Sequence, residues 1–100
     1  MILTTTNSID DYKILTYKGI VSGCAIKMPK ITMTFSMEKY YTGFSERVSE
    51  LKENALLILK EKAESLNANA VIGIQVDVEV ATDASILVTA TGTAVNISKY

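Results

Sequence analysis

The chain has 100 residues, enough for one small domain, because a chain of this length buries only about two thirds of its unfolded surface around a single core. Ten basic and eleven acidic side chains leave a net charge of -1, so no global field attracts nucleic acid or an anionic membrane. The sequence contains one cysteine and no histidine. It therefore lacks an internal disulfide, the commonest general base and the commonest transition-metal ligand.

The sequence shows no sign of a membrane or secretory segment. No stretch approaches the roughly 20 consecutive apolar residues that a transmembrane helix needs. The first ten residues, MILTTTNSID, lack the basic start and apolar core that are typical of a signal peptide. We therefore expect a single domain over 1–100 that resides in the cytoplasm, with neither nucleic acid nor a membrane as a partner.

The first third of the sequence favours β-structure. MILTTT is a short β-prone start, and YKILTYKGIVSGCAI is rich in Ile, Val, Tyr and Thr, which are common in strands. We predict a long strand over about 13–26, with a bulge or bend at Gly19 and another at Gly23. Pro29 is expected to end this strand. A short helix starting near Ser36 is predicted for the segment that follows.

A long amphipathic helix is predicted over about 45–66, because its apolar residues recur at the spacing of one helical face. These residues are Val48, Leu51, Ala55, Ile58, Leu59, Ala63 and Leu66. Asn67 follows at a position that needs a left-handed cap residue, a conformation that Asn tolerates best after Gly. Leu57 projects to the opposite, charged side. The apolar face is expected to pack on a sheet.

The last third is predicted to be a β-hairpin with the turn ATDAS at 81–85. Val80 then faces Ile86, and unbroken alternation of side chains carries the same register back along the strand. At its far end this register places Ile72 opposite Ala94. Small residues on this face of the second strand allow the helix to lie close to the sheet.

The other face of this hairpin is predicted to be polar at its centre and apolar at its ends. It carries the carboxylates of Asp77 and Glu79, and the predicted register pairs Val71 with Val95 at one end. Because apolar side chains flank the carboxylates, we expect this face to lie at or beside a boundary between subunits rather than in open solvent. The protein is accordingly not expected to be a monomer.

Four motifs, taken in order, resemble those of the YbjQ-like family, which is labelled as heavy-metal-binding. They are TTT at 4–6, GIVSGCAI at 19–26, LNANAVIGIQVDVEV at 66–80 and LVTATGTAV at 87–95. The resemblance spans nearly the whole chain. It implies an α+β fold with an antiparallel sheet backed by a long helix, to which we add the short helix predicted above. It also implies a ring-like homo-oligomer, a homopentamer, and no established activity.

The sequence departs from this family pattern at several positions. Cys24 stands where members usually have an acidic residue, and Asn67 stands where they have Gly. Residues 75–79 read QVDVE in place of a D-x-D-Y-E pattern. The segment between Met28 and Phe44 is shorter than usual and lacks a G-G-R-S stretch. A function that needs those groups is not expected to carry over to this chain.

Cys24, Asp77 and Glu79 are the candidate metal ligands. The two carboxylates leave one strand face about 7 Å apart, a spacing that holds a hard cation only with help from further oxygen ligands. A solvated strand face, or ion pairs across a subunit boundary, is the simpler interpretation. A soft-metal site at Cys24 requires symmetry to cluster one thiolate from each subunit. We interpret Cys24 instead as a small buried hydrophobe.

Catalysis is not expected of this chain. No histidine is present to activate a serine, no G-x-x-x-x-G-K-[ST] loop is present to hold a phosphate, and the carboxylates lack a second pair at a suitable spacing. Two classes of function remain. The preferred one is a self-assembling structural or binding module. The alternative is a metal-binding protein that uses Asp77, Glu79 or symmetry-clustered Cys24, and no cofactor other than such an ion is expected.

Overall fold

A computed structural model describes residues 1–28 and 43–100, which form a four-stranded sheet with one helix packed on it. The elements are β1 (Ile2–Leu3), β2 (Tyr12–Lys27), α1 (Phe44–Ser65), β3 (Ala70–Val80) and β4 (Ile86–Lys99). The predicted α+β class and the order of the main elements are confirmed. The predictions for Pro29 and for a short helix near Ser36 lie outside the described residues.

The sheet is mixed, with the strand order β1-β3-β4-β2. β1 runs parallel to β3, with Ile2 opposite Ala70, whereas β2 and β3 both run antiparallel to β4. The expectation of a wholly antiparallel sheet is therefore wrong. A parallel pair needs a long crossover, and here β2 and α1 lie within the chain that connects β1 to β3.

β2 is an edge strand with an irregular first half and a regular second half. Its register against β4 shifts at 14–16 and again at 17–19. Gly19 has a φ of +123°, so the predicted bulge at this glycine is confirmed. Pairing with β4 is regular from there to the end of the strand. The irregularity that we predicted at Gly23 is therefore wrong.

Gly23 is a glycine because α1 passes directly over it. A Cβ atom at this position would collide with the backbone oxygen of Ala55 and would lie 2.7 Å from the backbone nitrogen of Leu59. Rotation of a side chain cannot relieve contacts with backbone atoms. The helix and the strand can therefore approach this closely only where the strand has no side chain.

α1 buries one face against the sheet. The predicted bounds differ from the observed ones by one residue at each end. Leu66, which we placed on the buried face, is 39% exposed because it is the cap residue where the helix ends. Leu57 is 52% exposed on the opposite side, as predicted. The buried residues of the helix are Leu51, Ala55, Leu59 and Ala63.

Asn67 ends the helix in the predicted left-handed conformation, with a φ of +62°. The N–H of Asn67 donates to the carbonyl of Glu64 (2.9 Å), and the N–H of Ala68 donates to the carbonyl of Ala63 (3.1 Å). This pair of hydrogen bonds is a Schellman motif, which satisfies the last helical carbonyl groups. It turns the chain directly into β3.

The hairpin between β3 and β4 has the predicted turn, and Val80 lies opposite Ile86 as predicted. The N–H of Ala81 donates to the carbonyl of Ser85 (2.9 Å), and the N–H of Ala84 donates to the carbonyl of Ala81 (2.9 Å). Ala84 closes the turn with a φ of +67°. The register of the second half of β3 was therefore correctly derived from the turn.

The predicted register fails at a bulge in the first half of β3. The pairing with β4 shifts between Ile72 and Gln75, so that Ile72 lies opposite Thr93 rather than opposite Ala94. Gly73 lies in this bulge with a φ of +61°, a conformation that glycine adopts without the steric penalty of a Cβ atom. Regular alternation does not anticipate the extra residue.

The bulge moves the side chains that precede it to the opposite face, because one extra residue reverses the alternation. Val71 therefore joins the core beneath α1, and its predicted place on the other face is wrong. Ile72 moves in the opposite direction and joins a second, smaller core, where Val95 lies on the predicted face. This second core comprises buried Ala70, Ile72, Val95 and Ile97, with Ile2, Ile9, Tyr12 and Ile14 packed against them.

Candidate functional site

The sheet face that points away from α1 is covered at one end and open over the rest. The second core covers the beginning of β3 and the end of β4. No other element within 1–28 and 43–100 packs on this face. We call its uncovered part the open face. It comprises Ile20, Ser22, Cys24 and Ile26 of β2, Gln75, Asp77 and Glu79 of β3, and Leu87, Thr89, Thr91 and Thr93 of β4.

Large apolar side chains are exposed on the open face. Ile20 is 80% exposed and Ile26 is 61% exposed. Tyr17, at the border with the second core, is 68% exposed. Single exposed apolar residues are ordinary, but several on one strand, beside the half-buried Leu87, form a patch of the kind that marks an interaction surface.

Strand pairing arranges the open face in rows that cross three strands. Cys24 lies opposite Thr89, and Thr89 lies opposite Asp77. The Cα atoms of Cys24 and Asp77 are therefore two strand spacings apart, about 10 Å. Glu79 lies in the next row, opposite Leu87. The structure thus places all three predicted ligands on one face but separates the thiol from the carboxylates by a whole strand.

These side chains do not assemble a metal site within one chain. No group of three or more His, Cys, Asp and Glu side chains that could hold a metal ion is present in the part of the chain that the structure describes. Asp77 and Glu79 are exposed, and neither has an ion-pair partner among the described residues. A metal ion at this place would need further ligands beyond these described side chains.

Cys24 is exposed, so its interpretation as a buried hydrophobe is wrong for the single chain. Gly23 faces the helix, and side chains alternate along a strand, so the next residue must face away from the helix. The thiol of Cys24 is therefore accessible on the open face unless another molecule covers it.

The far end of β3 is exposed on its helix-facing side as well. Val78 is 39% exposed and Val80 is 51% exposed, because α1 packs mainly on β2 and β4 and barely reaches β3. The alternation of β3 correctly indicated which side these valines share. It held no signal for the lateral position of the helix, which decides how far these valines are covered.

Two backbone edges of the sheet are unpaired among the described residues. β2 is the last strand on one side. On the other side, β1 pairs only with the first two residues of β3. The chain after β1 reaches no further than Ile74, whose N–H donates to the carbonyl of Thr4 (3.1 Å). Residues 75–80 of β3 therefore form a second open edge. Sequence reasoning missed both edges because it did not establish the strand order.

The helix surface offers no comparable feature. An ion pair joins Lys27 to Glu50 (3.7 Å) and another joins Lys60 to Glu64 (4.0 Å), and all four side chains are about half exposed. Exposed pairs of this kind contribute little to stability. Within the described ranges, no helix has both the length and the apolar character needed to cross a membrane.

A family model described as "Putative heavy-metal-binding" matches residues 1–98. The motifs that resemble this family all lie within the matched residues. The chain belongs to the YbjQ family. The family predicted from sequence is thereby confirmed. The description of the family model names heavy metals. In this YbjQ family member, the candidate metal-binding side chains lie on the open face.

This YbjQ family member has similar relatives in several bacteria. A UPF0145 protein of Clostridium kluyveri is 42% identical over 106 residues, covering 95% of this chain and 97% of the relative. A UPF0145 protein of Acetivibrio thermocellus is 37% identical over 105 residues, covering 97% and 99%. A solved structure from Pediococcus pentosaceus, described as a DUF74 family protein of unknown function, matches with a TM-score of 0.72 and 25% identity over 98% of each chain. These descriptions name neither a reaction nor a substrate.

Proposed function

We propose that the protein is a self-assembling module without catalytic activity, a cytoplasmic homopentameric ring whose shared surface binds a small ligand or a protein partner. The open face is the observation that carries this proposal. Ile20 and Ile26 stand 80% and 61% exposed in one chain. Removing apolar surface from water stabilises a complex by roughly 25 cal/mol per Å², so covering this face with another copy is favourable.

The shape of the chain supports the same conclusion. Its longest dimension is 58 Å and its radius of gyration is 16.7 Å, whereas a compact chain of this length has a radius of gyration of about 13 Å. The 16 residues of β2 extend well beyond the region that α1 covers. A small chain with so long a pair of strands, β2 and β4, exposes surface that association with other copies can bury.

Sedimentation velocity over a range of micromolar concentrations tests this proposal. We expect a species of several chains, and we expect the thiol of Cys24 to react more slowly with a thiol reagent as the concentration rises, because assembly covers or encloses the open face. Denaturation should restore full reactivity. A mass of one chain throughout this range would contradict the proposal.

Metal binding is a second candidate function, because Cys24, Asp77 and Glu79 share the open face. In a ring, symmetry would supply thiolates or carboxylates in addition to those that the described residues of one chain bring together. Calorimetric titration of Ca²⁺, Mn²⁺, Zn²⁺ and Cu⁺ into the protein tests this candidate. Stoichiometric binding that is lost in Cys24→Ser, or in Asp77→Asn with Glu79→Gln, would make metal binding the preferred function.

A further inference from the structure

Among the described residues, the regular half of β2 is an edge without the usual protection against pairing. The stretch GIVSGCAI at 19–26 contains no charged residue, and its pairing with β4 is regular beyond Gly19. Natural edge strands are commonly guarded by charges, bulges or prolines. In β2 the bulges stop at Gly19, and the charges of Lys18 and Lys27 flank the stretch without interrupting it.

The distal half of β3, residues 75–80, is the complementary edge. It lies on the opposite side of the sheet from β2, and no strand within the described ranges pairs with its outer side. It carries Asp77 and Glu79 and no basic residue. Its side chains are mostly exposed on both faces, so a strand laid against it would meet no obstruction from α1.

We infer that the β2 edge of one copy pairs with the distal β3 edge of the next copy, so that the sheets of neighbouring subunits join into one. This inference rests on the proposed self-assembly and specifies its interface. Two different edges meet, so the contact is heterologous and repeats head to tail until a ring closes. β2 and β3 both run antiparallel to β4 and hence in the same direction. Rotation about an axis along the strands pairs them in parallel.

Charge argues for this pairing over the pairing of two β2 edges. Antiparallel association of two such edges about the uncharged stretch would bring Lys18 of each copy close to Lys27 of the other. The β3 edge offers Asp77 and Glu79 instead. Lys27 lies 3.7 Å from Glu50 of its own chain but remains 46% exposed. Lys27 lies on the helix side of β2, and Asp77 and Glu79 lie on the open face. The opposite charges therefore favour the encounter of the two edges without forming an ion pair across the contact.

The first variant places two carboxylates on the β2 edge, Ser22→Glu with Cys24→Glu. Both positions are exposed on the open face, so the fold of one chain should tolerate them. In the inferred interface the new carboxylates lie beside those of the neighbouring β3 edge. We expect association to weaken by roughly tenfold or more, since juxtaposed like charges cost well over 1.4 kcal/mol.

The second variant reverses the facing charges by adding Asp77→Lys with Glu79→Lys to the first variant. A heterologous interface then again joins opposite charges, and we expect sedimentation to show assembly restored. Pairing of two β2 edges would leave this combined variant as weakly associated as the first, because β3 takes no part in that contact. Asp77→Lys with Glu79→Lys alone should also weaken association.

Ser45→Glu with Ser49→Glu, at exposed positions of α1, adds the same two charges on the helix rather than on either strand edge and should leave assembly unchanged. Circular dichroism confirms that each variant is folded. A monomeric wild-type protein would overturn both this inference and the proposed self-assembly. A wild-type oligomer that is unaffected by Ser22→Glu with Cys24→Glu, or a combined variant that stays dissociated, would overturn the edge pairing alone.

Discussion

The two faces of the sheet are built from the same strands for opposite purposes. Toward α1, the strands bury valine and isoleucine side chains together with small residues, and the helix backbone approaches Gly23 directly. Ala90 and Ala94 are completely buried beneath it. Away from α1, the neighbouring positions carry isoleucine, threonine and carboxylates, and Ile20 is 80% exposed. One face is therefore largely covered by α1 within the chain, and the other is the surface that we propose is covered by another copy.

Neighbouring residues on a strand make this difference measurable, because they share the local backbone and differ mainly in the face they occupy. Substitutions on the helix-facing side should act on the stability of the fold. Matched substitutions on the open face should leave the fold intact and act on association. Stability comparisons are to be made at one protein concentration, since association itself adds apparent stability.

The largest effect is expected for Gly23→Ala, compared with Ser22→Ala. The added methyl group at Gly23 would meet backbone atoms of Ala55 and Leu59, so relief requires the helix to move away. We expect the free energy of unfolding to fall by about 3 kcal/mol or more. Ser22→Ala, on the open face, should change it by less than about 0.5 kcal/mol. Guanidinium denaturation followed by circular dichroism measures both, and equal effects would refute the close approach at Gly23.

A smaller contrast is expected between Val71→Ala and Val78→Ala, which lie on the same strand. Val71 is fully buried, whereas Val78 is 39% exposed. Removing two methyl groups from the buried position should cost about 2–3 kcal/mol of stability, and the exposed position should cost less than about 1 kcal/mol. The same denaturation experiment distinguishes them. A larger loss at Val78 would mean that the far end of β3 is covered in solution.

The third contrast uses polarity rather than volume. Val21 is 5% exposed beneath the helix, and Ile20 next to it is 80% exposed. Val21→Thr buries a hydroxyl group and should lower the free energy of unfolding by about 1–3 kcal/mol. Ile20→Thr should leave unfolding nearly unchanged while weakening association, as measured by sedimentation. A loss of stability without a loss of association in Ile20→Thr would contradict the assignment of the open face.

The smallest effect is expected at the turn of the hairpin between β3 and β4. Asp83 accepts a hydrogen bond from the backbone N–H of Ser85 (3.0 Å). This backbone hydrogen bond is the main reason why the pKa of Asp83 lies below its ordinary value. The resulting stabilisation is present above the unfolded pKa, which is about 3.9, and is lost as the pH falls through the folded pKa.

Asp83→Asn should therefore slightly reduce the loss of stability in acid. Near neutral pH, the dependence of stability on pH should be unchanged. Thermal unfolding between neutral pH and acid, with the wild-type chain as control, checks this. A variant whose acid dependence matches that of the wild type would show that the turn carboxylate is not linked to folding.

Local interactions explain why much of the fold was predictable. The amphipathic period of α1 and the left-handed cap at Asn67 follow from residue types within a few positions of one another. The turn before Ile86 and the register beside it are local in the same sense. The bulge at Gly73 was missed because an extra residue leaves no clear mark in an alternating sequence. The same miss reversed the predicted faces of Val71 and Ile72.

The candidate site was predictable only as a set of residues. Alternation correctly put Asp77 and Glu79 on the face away from the helix. It did not show that Cys24 lies in the same cross-strand row as Asp77, because that row depends on β4 lying between β2 and β3. Exposure of Cys24 was also missed, since an apolar strand sequence does not tell which of its faces a helix covers.

The sequence by itself determined the elements of this protein, because the periods of helix and strand, the cap and the turn arise from contacts close along the chain. Only the tertiary structure decided which elements are neighbours, where α1 lies across the sheet and which edges stay unpaired. Those outcomes depend on packing between residues that are distant in sequence, such as Ala55 of α1 over Gly23 of β2. The surfaces proposed for assembly are the ones that this packing leaves uncovered.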